Sequence, residues 1–235
     1  MNNVIKLDCS SEDSLFKSLA EIYNMDVNEL KNAIDEFKQT SDLDNFQKHA
    51  VAQAEVILPT PTLPAYTLWH HASRVKDSNS FYKNGIKTKA SMSDELSKML
   101  FQLSDGLTKE GDLPNRASVS SKSDINDEGP FAFLFEYPKS SHRFNEAPEI
   151  VEDIAGRLLG GNYMLLVERF KNETKPCTVT FQAPFEEREL ERALFYAHLR
   201  TSGESHLDAS LNANVYYDAK GKAIKKGDVI SVKLI

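Results

Sequence analysis

The chain has 235 residues, 40% of them hydrophobic and 27% charged, with a formal net charge of -7. That is enough apolar mass for one large domain or a domain with a small appendage. The acidic balance argues against a broad electrostatic grip on nucleic acid, although a basic patch inside a cleft would not register in a total. Two cysteines, Cys9 and Cys177, make no disulfide framework and no Cys-x-x-Cys pair, which points to a reducing compartment. Met1 to Asp8 carries one lysine and no long apolar core, and no later run approaches the roughly 18 apolar residues of a membrane span. A cytoplasmic protein with no membrane partner is the expectation.

The first segment reads as helical and acidic. Ser10 and Ser11 are candidate caps for a helix carrying Leu15, Phe16, Leu19, Ile22 and Tyr23. Asp26 with Glu29 resembles a capping box ahead of Leu30, Ile34 and Phe37, and a third helix is expected from Leu43 to Val56. Each is too short to be stable alone, so together they form a helical extension over residues 1–58 that packs on the next domain. Pro59, Pro61 and Pro64 mark the change to a mixed α+β domain over residues 59–235.

That domain opens with an expected strand at Tyr66 to His70, then a helix from Ser78 to Asn84 stopped by Gly85, and a helix from Ser93 to Leu103 with Leu96, Met99, Leu100 and Leu103 inward. Residues 104–129 are rich in Ser, Asp, Lys, Gly and Asn and read as a candidate lid or substrate loop. Phe131 to Phe135 is β-like and suits the middle of a sheet. Pro148 to Leu159 reads as a helix stopped at Gly160-Gly161, and Tyr163 to Glu168 with Cys177 to Ala183 as a hairpin. Glu186 to Arg200 is an amphipathic helix with a charged outer face. Asn214 to Tyr217 and Val229 to Leu234 close the chain as strands, and no internal repeat or heptad array interrupts this order.

Chemistry concentrates in Leu68-Trp69-His70-His71-Ala72-Ser73. Near neutral pH an imidazole donates one hydrogen bond and accepts another, so His70 or His71 could orient a ribose or diphosphate as readily as move a proton, and Ser73 could add a hydroxyl. Neighbours on a strand face opposite ways, so at most one of the two is central; the plain alternative is that one is satisfied inside the sheet and the other is exposed. Zinc is not expected: His70, His71, His142, His198 and His206 fall into no His-Glu-x-x-His unit. No Gly-x-Ser-x-Gly elbow is present, Cys177 falls in an apolar strand, and Gly160-Gly161 ends a helix where a phosphate loop would open one. Glu204, in the polar run Thr201-Ser202-Gly203-Glu204-Ser205-His206, could stabilise a cationic sugar centre or be an ordinary solvated charge.

The stretch from Leu68 to Ser73, followed by Phe81-Tyr82-Lys83-Asn84-Gly85-Ile86, resembles the opening of ADP-ribosyltransferase-like proteins, in particular the diphtheria-toxin-like group with its His, Tyr and Glu set. Phe131 to Phe135 resembles that family's middle strand, and Ala223-Ile224 through Val232 its closing strand. The resemblance implies a split β-sheet core with NAD, as substrate, in a cleft and no metal. It makes His71, followed directly by Ala72-Ser73, the first choice for holding the adenosine-side ribose, with His70 second. Tyr82 becomes the candidate for stacking on nicotinamide, although a core role fits its place beside Phe81 equally well. Phe131 and Phe133 would line the pocket, and Ser73 and Asn214 would add polar contacts.

The family glutamate would hydrogen-bond the nicotinamide ribose and favour an oxocarbenium-like state. Where it is expected, this chain has Asn212 and Asn214, with Glu204 earlier. An asparagine brings no negative charge, so either Glu204 substitutes as the catalytic residue or transfer is lost or altered. The implied activity is transfer of ADP-ribose from NAD to an unidentified protein target or to nucleic acid, as in a toxin or host-modifying protein. The rival is a noncatalytic acidic interaction or inhibitor module on a degenerate version of the same fold, meeting a protein partner through the helical extension.

Overall fold

A computed structural model of the chain describes residues 4–37, 46–109, 129–136 and 146–235, with the side chains of residues 46–49 left aside. It is an α+β protein. In chain order the elements are β1 (Lys6–Leu7), α1 (Glu12–Tyr23), α2 (Val27–Asp35), α3 (Phe46–Ile57), β2 (Tyr66–Val75), α4 (Asn79–Asn84), α5 (Lys89–Leu103) and β3 (Phe131–Phe133). There follow α6 (Glu149–Leu159), α7 (Tyr163–Glu173), β4 (Lys175–Pro184), α8 (Glu187–Thr201), α9 (His206–Ala213), β5 (Tyr216–Asp218) and β6 (Val229–Leu234). The strands hydrogen-bond in the order β5-β3-β2-β4-β6, and β1 lies parallel to β2 with Lys6 opposite Tyr66. Among the described residues, no helix is long and apolar enough to cross a membrane.

The chain divides into two compact units: Met1–His70, Phe133–Pro138 and Gln182–Tyr217 in the first; His71–Ala132, Lys139–Phe181 and Asp218–Ile235 in the second. The helices over 1–58 are not a unit of their own in this division. In the first unit α8 is the central helix, with Leu190, Ala193, Leu194, Tyr196, Ala197 and Leu199 all buried and α1, α2, α3 and α9 packed on it. Of the caps anticipated, Ser11 closes α1, and α2 is capped by Asp26 bonding two residues ahead, not by the Asp26–Glu29 box. Ser11 accepts from the Ser14 N–H at 3.1 Å, and Asp26 accepts from the Asn28 N–H at 2.8 Å. Tyr196 stacks on Phe135 with ring centroids 4.7 Å apart, and Trp69, fully buried, sits 5.3 Å from Tyr217.

In the second unit α5, α6 and α7 bury Leu96, Leu100, Val151, Ala155, Leu159, Leu166, Val167 and Phe170 against one another. β4 and β6 pair antiparallel there, Val179 opposite Val232 and Cys177 opposite Leu234.

Three expectations need correcting. Tyr163 to Glu168 is helical, part of α7, so it forms no hairpin with β4. Leu166, Val167 and Phe170 are its buried residues, a helical spacing that a short apolar run disguises. β2 does not stop at His70 but runs on to Val75, which sets both histidines within the strand. The helix expected from Ser93 begins at Lys89, capped by the Thr88 hydroxyl, which accepts from the Ser91 N–H at 3.2 Å. Most of the expected lid, residues 110–128, lies outside the described residues.

Candidate functional site

Alternation along β2 puts His71 and Ser73 on one side of the strand and His70 on the other. His70 is 3% exposed and directly opposite Phe133 in antiparallel register, so the two side chains share a face. His71 and Ser73 are half-buried. The Nδ1 atom of His71 lies 2.6 Å from the backbone carbonyl oxygen of Phe131. A carbonyl only accepts, so Nδ1 carries the hydrogen and, in the neutral ring, Nε2 is left as an acceptor. Burial lowers the His71 pKa, with the Phe131 carbonyl partly opposing that shift. The ring is therefore neutral at pH 7, suited to accept from a hydroxyl and unsuited to hold an anion.

The turn after α4 explains the Asn84-Gly85-Ile86 sequence. Gly85 has a φ of 74°, and a Cβ there would lie 2.0 Å from the Ile224 carbonyl oxygen. This approach lets Ile86 and Ile224 exchange both backbone hydrogen bonds, at 3.0 and 2.9 Å. Tyr82, on α4 and 45% exposed, accepts through its hydroxyl from the Val232 N–H of β6 at 3.0 Å. Its oxygen is thus engaged at a strand edge while much of its ring stays open.

Phe131 lies two residues before Phe133 and by alternation shares that residue's face, so its carbonyl, not its ring, meets His71. Its half-buried ring carries the Lys89 ammonium 5.6 Å from the ring centroid, and Lys89 also pairs with Glu149 at 3.6 Å. Asn214 belongs to the first unit and binds backbone on three counts. Its Oδ1 accepts from the N–H groups of Phe135 and Val215, each at 3.1 Å, and its Nδ2 donates to the Phe135 carbonyl at 3.3 Å. Glu204, also of the first unit, is exposed in the turn between α8 and α9, and its N–H donates to Leu199 at 3.0 Å. Asn212 is exposed on α9. Within the second unit, then, His71, Ser73 and the Phe131 carbonyl come together; His70, Phe133, Asn214 and Glu204 belong to the first.

Neither cysteine is a reactive thiol. Burial pushes Cys177 up to about 12 despite the nearby Arg74 guanidinium. Burial, then the charges of Asp8 and Glu189, hold Cys9 well above its usual range. Among the described residues no three His, Cys, Asp or Glu side chains gather as a metal site, and His142 lies outside those residues. A hollow of about 270 Å³ opens between α5 and α6, lined by Ser93, Ser97, Phe101, Asp153, Arg157 and neighbours. It holds none of the candidate residues, and it is smaller than the roughly 300–1,000 Å³ of a drug-sized pocket, so it is not assigned to a dinucleotide.

Sequence reasoning passes over several polar groups that order these elements. Arg74 of β2 donates to the Thr174 hydroxyl at 3.2 Å and to the Lys171 carbonyl at 3.0 Å, closing the end of α7. Glu186 and Glu189 form a capping box on α8, three residues apart as such boxes require. Burial raises the Glu189 pKa, while its bonds from the Glu186 N–H and the Thr67 hydroxyl pull the other way. Tyr196 and Arg200 lie four apart on α8, a spacing visible in the sequence.

Compared with protein-family models, with curated proteins and with solved structures, the chain finds no match in any of the three.

Proposed function

We propose that the chain is an ADP-ribosyltransferase-like protein that takes NAD as its substrate and moves ADP-ribose to a macromolecular target. The observation that carries the reading is the His71 ring, held by the Phe131 carbonyl with Nε2 as its acceptor, beside Ser73 on one face of β2. A neutral acceptor and a hydroxyl suit the hydroxyls of a ribose. The sequence resemblance from Leu68 to Ile86 supplies the family, with its split sheet and cleft.

In the reaction the bond from C1′ of the nicotinamide ribose to the pyridinium nitrogen breaks, and nicotinamide leaves with the electron pair. A nucleophile on the target then bonds to C1′ and gives up its proton to solvent or a base. Glu204 is the carboxylate assigned to stabilise the positive charge that builds on the ribose. The proposed target is a protein, with nucleic acid the second choice, and the site of action is the cytoplasm.

A second reading has its own observation. Asn214, which stands where the family's carboxylate is expected, is committed to Phe135 and Val215 backbone. On that reading the chain is a noncatalytic acidic interaction or inhibitor module on a degenerate version of the same fold and acts on a protein partner. Incubation of the protein and cell extract with NAD labelled in its adenylate half separates the two. Transfer to a discrete acceptor, absent with His71→Ala, is the result expected of the transferase; no transfer by the folded protein, with a partner still captured by His71→Ala, favours the second reading.

A further inference from the structure

The net charge of -7 is not spread evenly along the chain. Residues 218–235 hold five lysines against two aspartates, and Lys220, Lys222, Lys225 and Lys226 are all exposed. The second unit adds Lys83, exposed in the last turn of α4. Gly85 makes the junction. A Cβ there would lie 2.9 Å from the Lys226 nitrogen and 3.0 Å from the Lys225 carbonyl carbon, so the end of α4 rests on the backbone of both lysines. The bridge between Ile86 and Ile224 fixes that approach.

The same frame continues along the loop. The Ala219 N–H donates to the Pro130 carbonyl at 3.1 Å, the Gly221 N–H to the Gly129 carbonyl at 3.0 Å, and the Lys220 N–H to the Asp218 carboxylate at 2.8 Å. Lys226–Asp228 is a single 3-10 turn leading into β6. Lys83, Lys220, Lys222, Lys225 and Lys226 make no ion pair with any described residue, whereas Lys87 is taken by Glu95 at 2.6 Å. Cations gathered on a fixed frame and left unneutralised by the chain attract a polyanion.

Tyr82 narrows the kind of polyanion. It precedes Lys83 on α4, its hydroxyl is held by the Val232 N–H at 3.0 Å, and it is 45% exposed, so a ring already fixed in place stands beside the lysines. An aromatic face among lysines suits a single strand, whose phosphates meet the ammonium groups while a base stacks on the ring. A duplex keeps its base faces stacked inside, and an acidic peptide has none. The surface has no arginine to read base edges in bidentate fashion, so recognition does not depend on sequence. Leu234, exposed on β6, follows Lys233 and faces the other way, which is not the arrangement of a membrane-surface element.

We propose that the surface formed by α4 and residues 219–228 binds single-stranded nucleic acid without regard to sequence. Lys83, Lys222, Lys225 and Lys226 contact phosphates, and Tyr82 stacks on a base. The acidity of the whole chain does not oppose this, because the contact is local. The surface goes beyond the transferase reading and does not depend on it.

Fluorescence anisotropy of a labelled oligo-dT of about 20 nucleotides, titrated with the full chain without NAD at about 50 and about 200 mM salt, tests it. Saturable binding is expected, with log K falling against log salt at a slope of about -2.8, roughly 0.7 for each of four phosphate contacts. Lys225→Ala with Lys226→Ala should weaken binding at least about tenfold at the lower salt and flatten the slope by about 1.4. Lys17→Ala, which removes an exposed lysine of α1 in the first unit, should change neither. Tyr82→Leu should weaken binding at least about fivefold and keep the slope, with thermal melts confirming that each variant is folded. No binding at the lower salt, a slope near zero, or equal losses in Lys17→Ala and the double variant overturns the proposal. So does tighter binding of a duplex or of polyglutamate than of oligo-dT, or binding to phosphatidylserine vesicles with none to oligo-dT. Oligo-dT binding without any NAD turnover would sink the transferase reading and leave this surface standing.

Discussion

His71 is a polar side chain within β2 and Asn214 one just ahead of β5, and the two units use them in opposite ways. In the first unit Asn214 binds the backbone of Phe135 and Val215 with both ends of its amide, which makes it a brace between the chain leaving β3 and the chain entering β5. In the second, the Phe131 carbonyl engages one nitrogen of His71 and thereby sets the other as an acceptor. Both are candidate ligand residues on sequence alone. A residue can hold a ligand only with polar atoms that the fold has not already engaged, and that is a property of the backbone around it.

The sharpest way to break the second unit's arrangement is at Gly85. Gly85→Val forces a side chain into the positive-φ region and against the Ile224 carbonyl, and should cost on the order of 3 kcal/mol in denaturant unfolding. Asn214→Ala strips bonds from the Phe135 backbone and should cost about 1–3 kcal/mol while leaving NAD affinity unchanged, which calorimetry can check.

His71 gives a smaller effect, with a pH signature. Its folded-state pKa lies below that of the unfolded chain, so on acidification the unfolded chain binds the proton first. Stability is full above about 6.5 and falls as the pH drops from there towards the folded value. His71→Gln should flatten that segment of the stability profile. The smallest change is Glu204→Gln: exposed in its turn, it should alter stability by less than about 0.5 kcal/mol, so any loss of NAD turnover reports on chemistry alone.

Elements with strong local signals are legible in the sequence. Val229 to Leu234 is a strand, although Ile230 and Leu234, which alternation would turn to a core with Val232, are exposed and Val229 is the buried residue; Glu149–Leu159 is preceded by Pro148 and followed by Gly160, and α1 begins at its serine cap. Tyr163 to Phe170 misleads because its apolar residues satisfy a short strand as well as a helix, and only packing against α5 and α6 decides between them. The preference for His71 over His70 rests on Ala72-Ser73, and strand alternation gives it a physical basis by setting Ser73 on the same face. The Phe131 carbonyl could not be foreseen, since it lies 60 residues away and offers only backbone. Nor could the bracing role of Asn214, because an asparagine ahead of a strand reads the same whether its amide meets a ligand or a neighbouring carbonyl.

The central claim is that His71 holds NAD. Calorimetric titration of NAD into the wild type, His71→Ala and Glu204→Gln tests it most directly. Saturable binding to the wild type and to Glu204→Gln, weakened at least about tenfold in His71→Ala, is the predicted result. Equal affinity in the wild type and His71→Ala, or no binding to a folded wild type, would contradict it.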